Sequence, residues 1–233
     1  MDLSMSRMKG RRRLTCHHEG GHALVRWFFG YHTDRAVVQT VEELIAGKRV
    51  RDRRGRLVAC EGIVTGYDIC GWPFGRLKIS GSAEDQAEYD RVRAVSRDIE
   101  LINCYAGFYA EAAYARRSVR GCMLAGGGGD IKNSRAILDA WHLPEEERRA
   151  VTLAAEALAS ALVRSPQGAA AIKAIADVLM TRGQASGDRI AALCRKAYGG
   201  RECAYGAWVD HWPPTLDQIR TGHIPERRAK VAA

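Results

Sequence analysis

The chain has 233 residues, 46% of them apolar and 27% charged, with a formal net charge of +9. That length suits one domain, or a domain with a small appendage, and the composition excludes a disordered or collagen-like chain. No stretch approaches the roughly 18 uninterrupted apolar residues of a membrane span. Seven cysteines, an odd number, include no C-x-x-C pair. They argue against a disulfide framework or zinc ribbon and for reduced thiols in a cytoplasm.

Residues 1–13 read as a basic tail: Arg7, Lys9, Arg11, Arg12 and Arg13 stand against Asp2, with no apolar core of a secretory signal. Residues 14–30 read as a helix, with Cys16, Ala23, Val25, Trp27, Phe28 and Phe29 on its apolar positions and Gly30 as its stop. From 36 to about 80 short β-branched runs alternate with glycine breaks, which predicts strands. Asp52-Arg53-Arg54-Gly55 is the expected hairpin tip, inside a second cationic cluster of Lys48, Arg49, Arg51, Arg53, Arg54 and Arg56 against Asp52. The two clusters account for the whole formal excess of +9, so the remaining sequence is balanced. Solvated charge runs explain them, and so does contact with nucleic acid, acidic lipid or acidic protein. Neither cluster contains an aromatic residue, which leaves base stacking without support.

Residues 83–117 return to helical period, with Val92, Val95, Ile99, Ile102, Ala106, Tyr109, Ala110 and Ala113 as the expected buried stripe. Gly126 to Gly129 break the chain before helices over 131–141 and 144–163, the second with acidic residues in its first turn. Residues 169–198 read as a helical hairpin turning near 183–187. The Gly/Trp/Pro-rich segment 199–233 has no clear period.

His18-Glu19-Gly20-Gly21-His22 is an H-E-x-x-H motif within a predicted helix. Positions four apart share a helix face, so both imidazoles can point at one zinc ion, while Glu19 reaches a water whose proton it takes. His17 has Gly21 at its own i+4 position and is no ligand candidate. Each glycine costs a helix interior about 1 kcal/mol relative to alanine. Two adjacent ones make better sense where backbone or substrate comes close. Two histidines leave a catalytic zinc one protein ligand short. Asp130, after the glycine run, is a candidate, but an aspartate at a helix start serves equally as an N-cap, and spacing does not choose.

The segment Thr15-Cys16-His17-His18-Glu19-Gly20-Gly21-His22-Ala23-Leu24 resembles the zinc helix of the FtsH-type peptidases, whose pattern is H-E-A-G-H-A. Ala106-Gly107-Phe108-Tyr109-Ala110-Glu111 stands where that family has G-G-R-A-A-E, with Phe108 and Tyr109 replacing Arg-Ala. Gly128-Gly129-Asp130-Ile131-Lys132-Asn133-Ser134-Arg135-Ala136 is similar to its T-G-A-x-N-D-I-x-x-A-T segment, and residues 174–190 to its C-terminal helical hairpin. The resemblance covers roughly residues 14–193 in the same order. It implies an α+β, mainly helical, zincin-like peptidase core over 14–198, with a small β region at about 36–80. It further implies one Zn2+ per chain held by His18, His22 and Asp130, Glu19 as general base, and Glu111 orienting a histidine from behind.

The family's ATPase is not expected here, because no G-x-x-x-x-G-K-[ST] phosphate loop is present. The expectation is an ATP-independent endopeptidase acting on extended or unfolded segments, alone, as a homo-oligomer or with a separate unfoldase. Two alternatives stand beside it. One is a basic nucleic-acid- or protein-binding module with a structural or vestigial zinc site, using residues 7–13 and 48–56. The other is a regulatory protease that cleaves one specific partner.

Overall fold

The computed structural model describes residues 3–66, 82–126 and 128–226. Its first helix, α1 (Leu3–Phe28), is 26 residues long, so the segment expected as a basic tail is helical from Leu3 onward. Lysine and arginine are good helix formers, and Arg12 within that segment is buried rather than solvated. From Glu19 to Phe29 every residue is buried, so the second half of α1 runs through the middle of the molecule.

Two long helices close on it. α3 (Ala83–Ala115) buries Val92, Val95, Ile99, Ile102, Ala106 and Ala110, as the period predicts, although Tyr109 is only half-buried and Ala112 replaces Ala113 on the inner face. Helix α7 (Pro166–Arg182) crosses the other side of α1, and α6 (Glu145–Arg164) backs α3. The two glycines of the histidine motif are where the helices touch. A Cβ on Gly21 would lie 2.6 Å from the Ala106 carbonyl oxygen, and one on Gly20 would lie 3.2 Å from Ile172 Cγ2. Their cost in helix propensity therefore permits close backbone approach.

Among the described residues the β structure is small, as expected. β1 (Thr33–Val38) is the centre of a three-stranded antiparallel sheet, between β4 (Gly62–Gly66) and β5 (Gln184–Ser186). Val38 pairs with Gly62 and Ala36 with both Val64 and Ala185. Between β1 and β4 lie a short helix, α2 (Val41–Ile45), and a two-stranded ribbon, β2 (Val50–Arg51) with β3 (Leu57–Val58). The expected tip turns on Gly55, at a φ of +78°, with Asp52 accepting the backbone N–H groups of Arg54 and Arg56. The part of the expected β region beyond Gly66, and Cys70 within it, fall outside the described residues.

The glycine run expected to break the chain is largely helical: α4 (Val119–Gly126) ends on Gly126, and α5 (Gly128–Ala140) starts with Gly128 and Gly129. α5 begins three residues earlier than expected, which places Asp130 in its first turn instead of at its cap. The helical hairpin turns as expected: α7 ends at Gly183 with φ +73°, and α8 (Gly187–Ala197) follows β5. The segment after Gly199 carries two short helices, α9 (Tyr205–Asp210) and α10 (Leu216–Arg220). Trp208 and Ile219 from them join the core. Among the described residues no helix is long and apolar enough to cross a membrane.

Candidate metal centre

His18 and His22 project from the buried part of α1 toward α3 and the first turn of α5. Asp130 comes to meet them, with its Oδ2 2.9 Å from His18 Nε2 and 3.4 Å from His22 Nε2. One atom from each residue lies within 4.8 Å of the others, and among the described residues no other metal-binding group of this size occurs. A tetrahedral ion with bonds of about 2.0–2.1 Å holds its ligand atoms about 3.3 Å apart, so both contacts to Asp130 are close to what such an ion needs. The trio can hold a metal ion.

The surroundings prepare each ligand. The Nδ1–H of His22 donates to the Asn103 carbonyl on α3 at 2.9 Å, which leaves Nε2 facing the other two residues. His18 Nδ1 stands 3.6 Å from Glu111 Oε2, and the ring meets Phe108 edge to face at 5.3 Å. Glu111 thus stands behind the His18 ring. Phe108 is buried packing against the same ring.

Space for an ion comes from Gly107. A Cβ there would lie 2.6 Å from His18 Nε2 and 2.7 Å from His22 Nε2, against the two ring nitrogens that face Asp130. Gly107, together with the Asn103 carbonyl, is what the motif alone does not reveal. Its one sequence signal is a helix-weakening glycine in the otherwise alanine-rich run Ala106-Gly107-Phe108-Tyr109-Ala110.

Glu19 is buried beside the trio, and on its far side lies the start of β4. A Cβ on Gly62 would come 2.7 Å from both Cγ and Oε1 of Glu19. His17 turns away: its Nδ1–H donates to the Arg13 carbonyl at 2.9 Å, and its ring stacks on Tyr114 at 3.8 Å.

Burial and charge set the protonation of the group. Burial disfavours a charged His18, but hydrogen bonds to Asp130 and Glu111 outweigh it and push its pKa up to about 10. His22 is raised as well, the negative charge of Asp130 overcoming burial. Burial alone would raise the Asp130 carboxyl, yet the two imidazoles hold it well below the usual carboxylate range. Glu19 goes the other way: burial raises it, against the opposing pull of His22 and His18. The site therefore contains one carboxylate committed to its partners and one kept basic.

Compared with known proteins, the chain matches no family model and no curated protein sequence.

Proposed function

We propose that the chain is a zinc-dependent endopeptidase with a zincin-like core of the FtsH type, cutting extended protein segments without an ATPase of its own. The observation that carries this reading is the meeting of His18, His22 and Asp130 around the gap at Gly107, with Glu19 buried at its edge. A structural zinc site is usually closed by a fourth cysteine or histidine and has no use for a buried carboxylate alongside. Here the described residues provide three donors and a base, which is the composition of a site that leaves a position for substrate.

A zinc ion held by His18, His22 and Asp130 supplies Lewis-acid polarisation of a peptide carbonyl and makes water acidic near neutral pH. Glu19 takes the proton of the attacking water on a carboxylate oxygen and returns it to the departing amine nitrogen. Its raised pKa suits both transfers, since a general base works best with a pKa near the working pH. Asn103 and Glu111 keep the imidazoles turned inward. β4, an outer strand of the three-stranded sheet, carries Gly62 next to Glu19, and an extended substrate adds as a further strand along it. Substrates arrive already extended or are delivered by a separate unfoldase.

The test pairs two variants. Glu19→Gln should keep the metal, by elemental analysis, and lose casein cleavage by about 10²–10⁴-fold. Asp130→Ala should lose the metal itself. A Glu19→Gln protein that cuts casein at the wild-type rate rejects the mechanism.

A further inference from the structure

Outside the metal centre, the strongest unused feature is the surface where the two cationic segments meet. In sequence they are separate; in the fold they are stitched together. Arg12 Nε donates to the Gln39 carbonyl at 2.8 Å, and the Gln39 side chain donates in turn to the Lys48 carbonyl. Lys48 Nζ stands 3.8 Å from Glu43 on α2, and Arg11 pairs with Glu61 at the foot of β4. Several cations on this surface are internally neutralised, such as Arg56 by Asp52 at 2.7 Å. Arg7, Lys9, Arg49 and Arg54 are exposed and have no ion pair among the described residues.

Apolar side chains stand among these cations. Leu57 is 53% exposed and Ile45 62% exposed, and Met5 is exposed on the same first helix as Arg7 and Lys9. In the ribbon Arg51 pairs with Leu57 and Val50 with Val58. Val50 faces inward, so Arg51 and Leu57 share the outer face. One exposed leucine means nothing. An exposed leucine opposite Arg51 on the ribbon, with an exposed isoleucine on α2 three residues before Lys48, is a different pattern.

We propose that the β2–β3 ribbon, α2 and the first turns of α1 form a peripheral docking surface for an anionic lipid bilayer. Arginine and lysine meet the lipid phosphates while Ile45 and Leu57 enter the acyl boundary, the pairing that interfacial binding requires. A nucleic acid would leave both aliphatic tips without a role, and neither cationic segment, 7–13 or 48–56, contains an aromatic residue on which a base could stack. The docking is independent of peptide hydrolysis and holds whether or not the metal centre is a peptidase.

Co-sedimentation of the full chain with vesicles tests it. Vesicles of phosphatidylcholine mixed with phosphatidylglycerol should pull the protein down, and vesicles of phosphatidylcholine alone should not. Arg49→Gln with Arg54→Gln should weaken partitioning by about fivefold for each charge removed. Ile45→Ser with Leu57→Ser should weaken it about tenfold or more at unchanged charge. Circular dichroism checks that both double variants remain folded. Three results overturn the proposal: no binding to the anionic vesicles, binding indifferent to the serine substitutions, or retention of a DNA duplex that exceeds retention of the vesicles.

Discussion

A methyl group at residue 107 would lie 2.6 Å from His18 Nε2 and 2.7 Å from His22 Nε2, so Gly107→Ala should crowd the metal site while leaving the identity of every ligand unchanged. The expected loss of metal affinity is about 100-fold or more. Metal-free stability should move little, because alanine gains about 1 kcal/mol of helix propensity against the local crowding. Titration calorimetry with zinc and a thermal melt of the metal-free protein measure the two separately, and undiminished metal binding would contradict the geometry. Metal uptake should also depend on pH in a definite direction. The pKa of His18 is pushed up to about 10 by Asp130 and Glu111, and His22 is raised too, so the metal-free site holds protons at neutral pH. A metal must displace them, and apparent affinity should therefore climb by about tenfold per pH unit for each proton released, levelling only near the raised pKa. An affinity flat from acid to alkaline pH would mean that the imidazoles are not the ligands. The spacing of His18, Glu19 and His22 made the first half of this site legible in the sequence. The fold had to bring Asp130 from 112 residues away, and a glycine or a main-chain carbonyl leaves almost no mark in a one-dimensional pattern.

At the scale of elements, the most instructive difference lies in α1. Five cations in residues 7–13 look alike in sequence, yet Arg12 is buried and reaches three carbonyls, Gln39 at 2.8 Å, Met180 at 2.8 Å and Leu179 at 2.9 Å. Two of those belong to the last turn of α7, where a cation suits the macrodipole; the Leu179 carbonyl also accepts the N–H of the cap residue Gly183 at 2.9 Å. This contact holds the first turns of α1 against α7 and the β1–α2 connection. Arg12→Ala should cost about 3 kcal/mol of unfolding free energy, since it strips three buried carbonyls of a charged donor. Arg12→Lys should recover less than half, because an ammonium cannot span the same fork. Arg7→Ala, on the exposed side, should stay within about 0.5 kcal/mol of wild type. Urea denaturation separates these outcomes, and equal effects at the two positions would return the segment to a solvated tail. Helix periodicity placed α3, α6 and the α7–α8 hairpin because apolar stripes announce themselves. It missed the start of α1 because an arginine that satisfies carbonyls has no apolar signature.

Over the whole molecule, the segment after Gly199 completes the core that supports the metal helix. Trp208 is buried with its ring 4.9 Å from Phe28 and 5.3 Å from Phe29, and its Nε1–H donates to the Phe28 carbonyl at 2.6 Å. Phe28 ends α1, so that carbonyl has no helical donor of its own. Nothing periodic marks this segment, since its helices are only five and six residues long and its ordering comes from tertiary packing. Trp208→Ala should lower unfolding free energy by about 3–5 kcal/mol. Trp208→Phe should lose less, about 1–3 kcal/mol, chiefly from the Phe28 carbonyl left buried without a donor. Neither variant alters a ligand, which yields a sharper test of how the end of α1 is related to the ligands it carries. Zinc that binds only the folded state stabilises by mass action, about 2.7 kcal/mol at a free concentration 100 times its dissociation constant. If Trp208 supports the fold without shaping the site, saturating zinc should raise the unfolding free energy of wild type and of Trp208→Phe by the same increment. An increment that shrinks in the variant would instead show that packing at the end of α1 is transmitted to His18 and His22. An increment absent from both proteins would remove the metal centre itself.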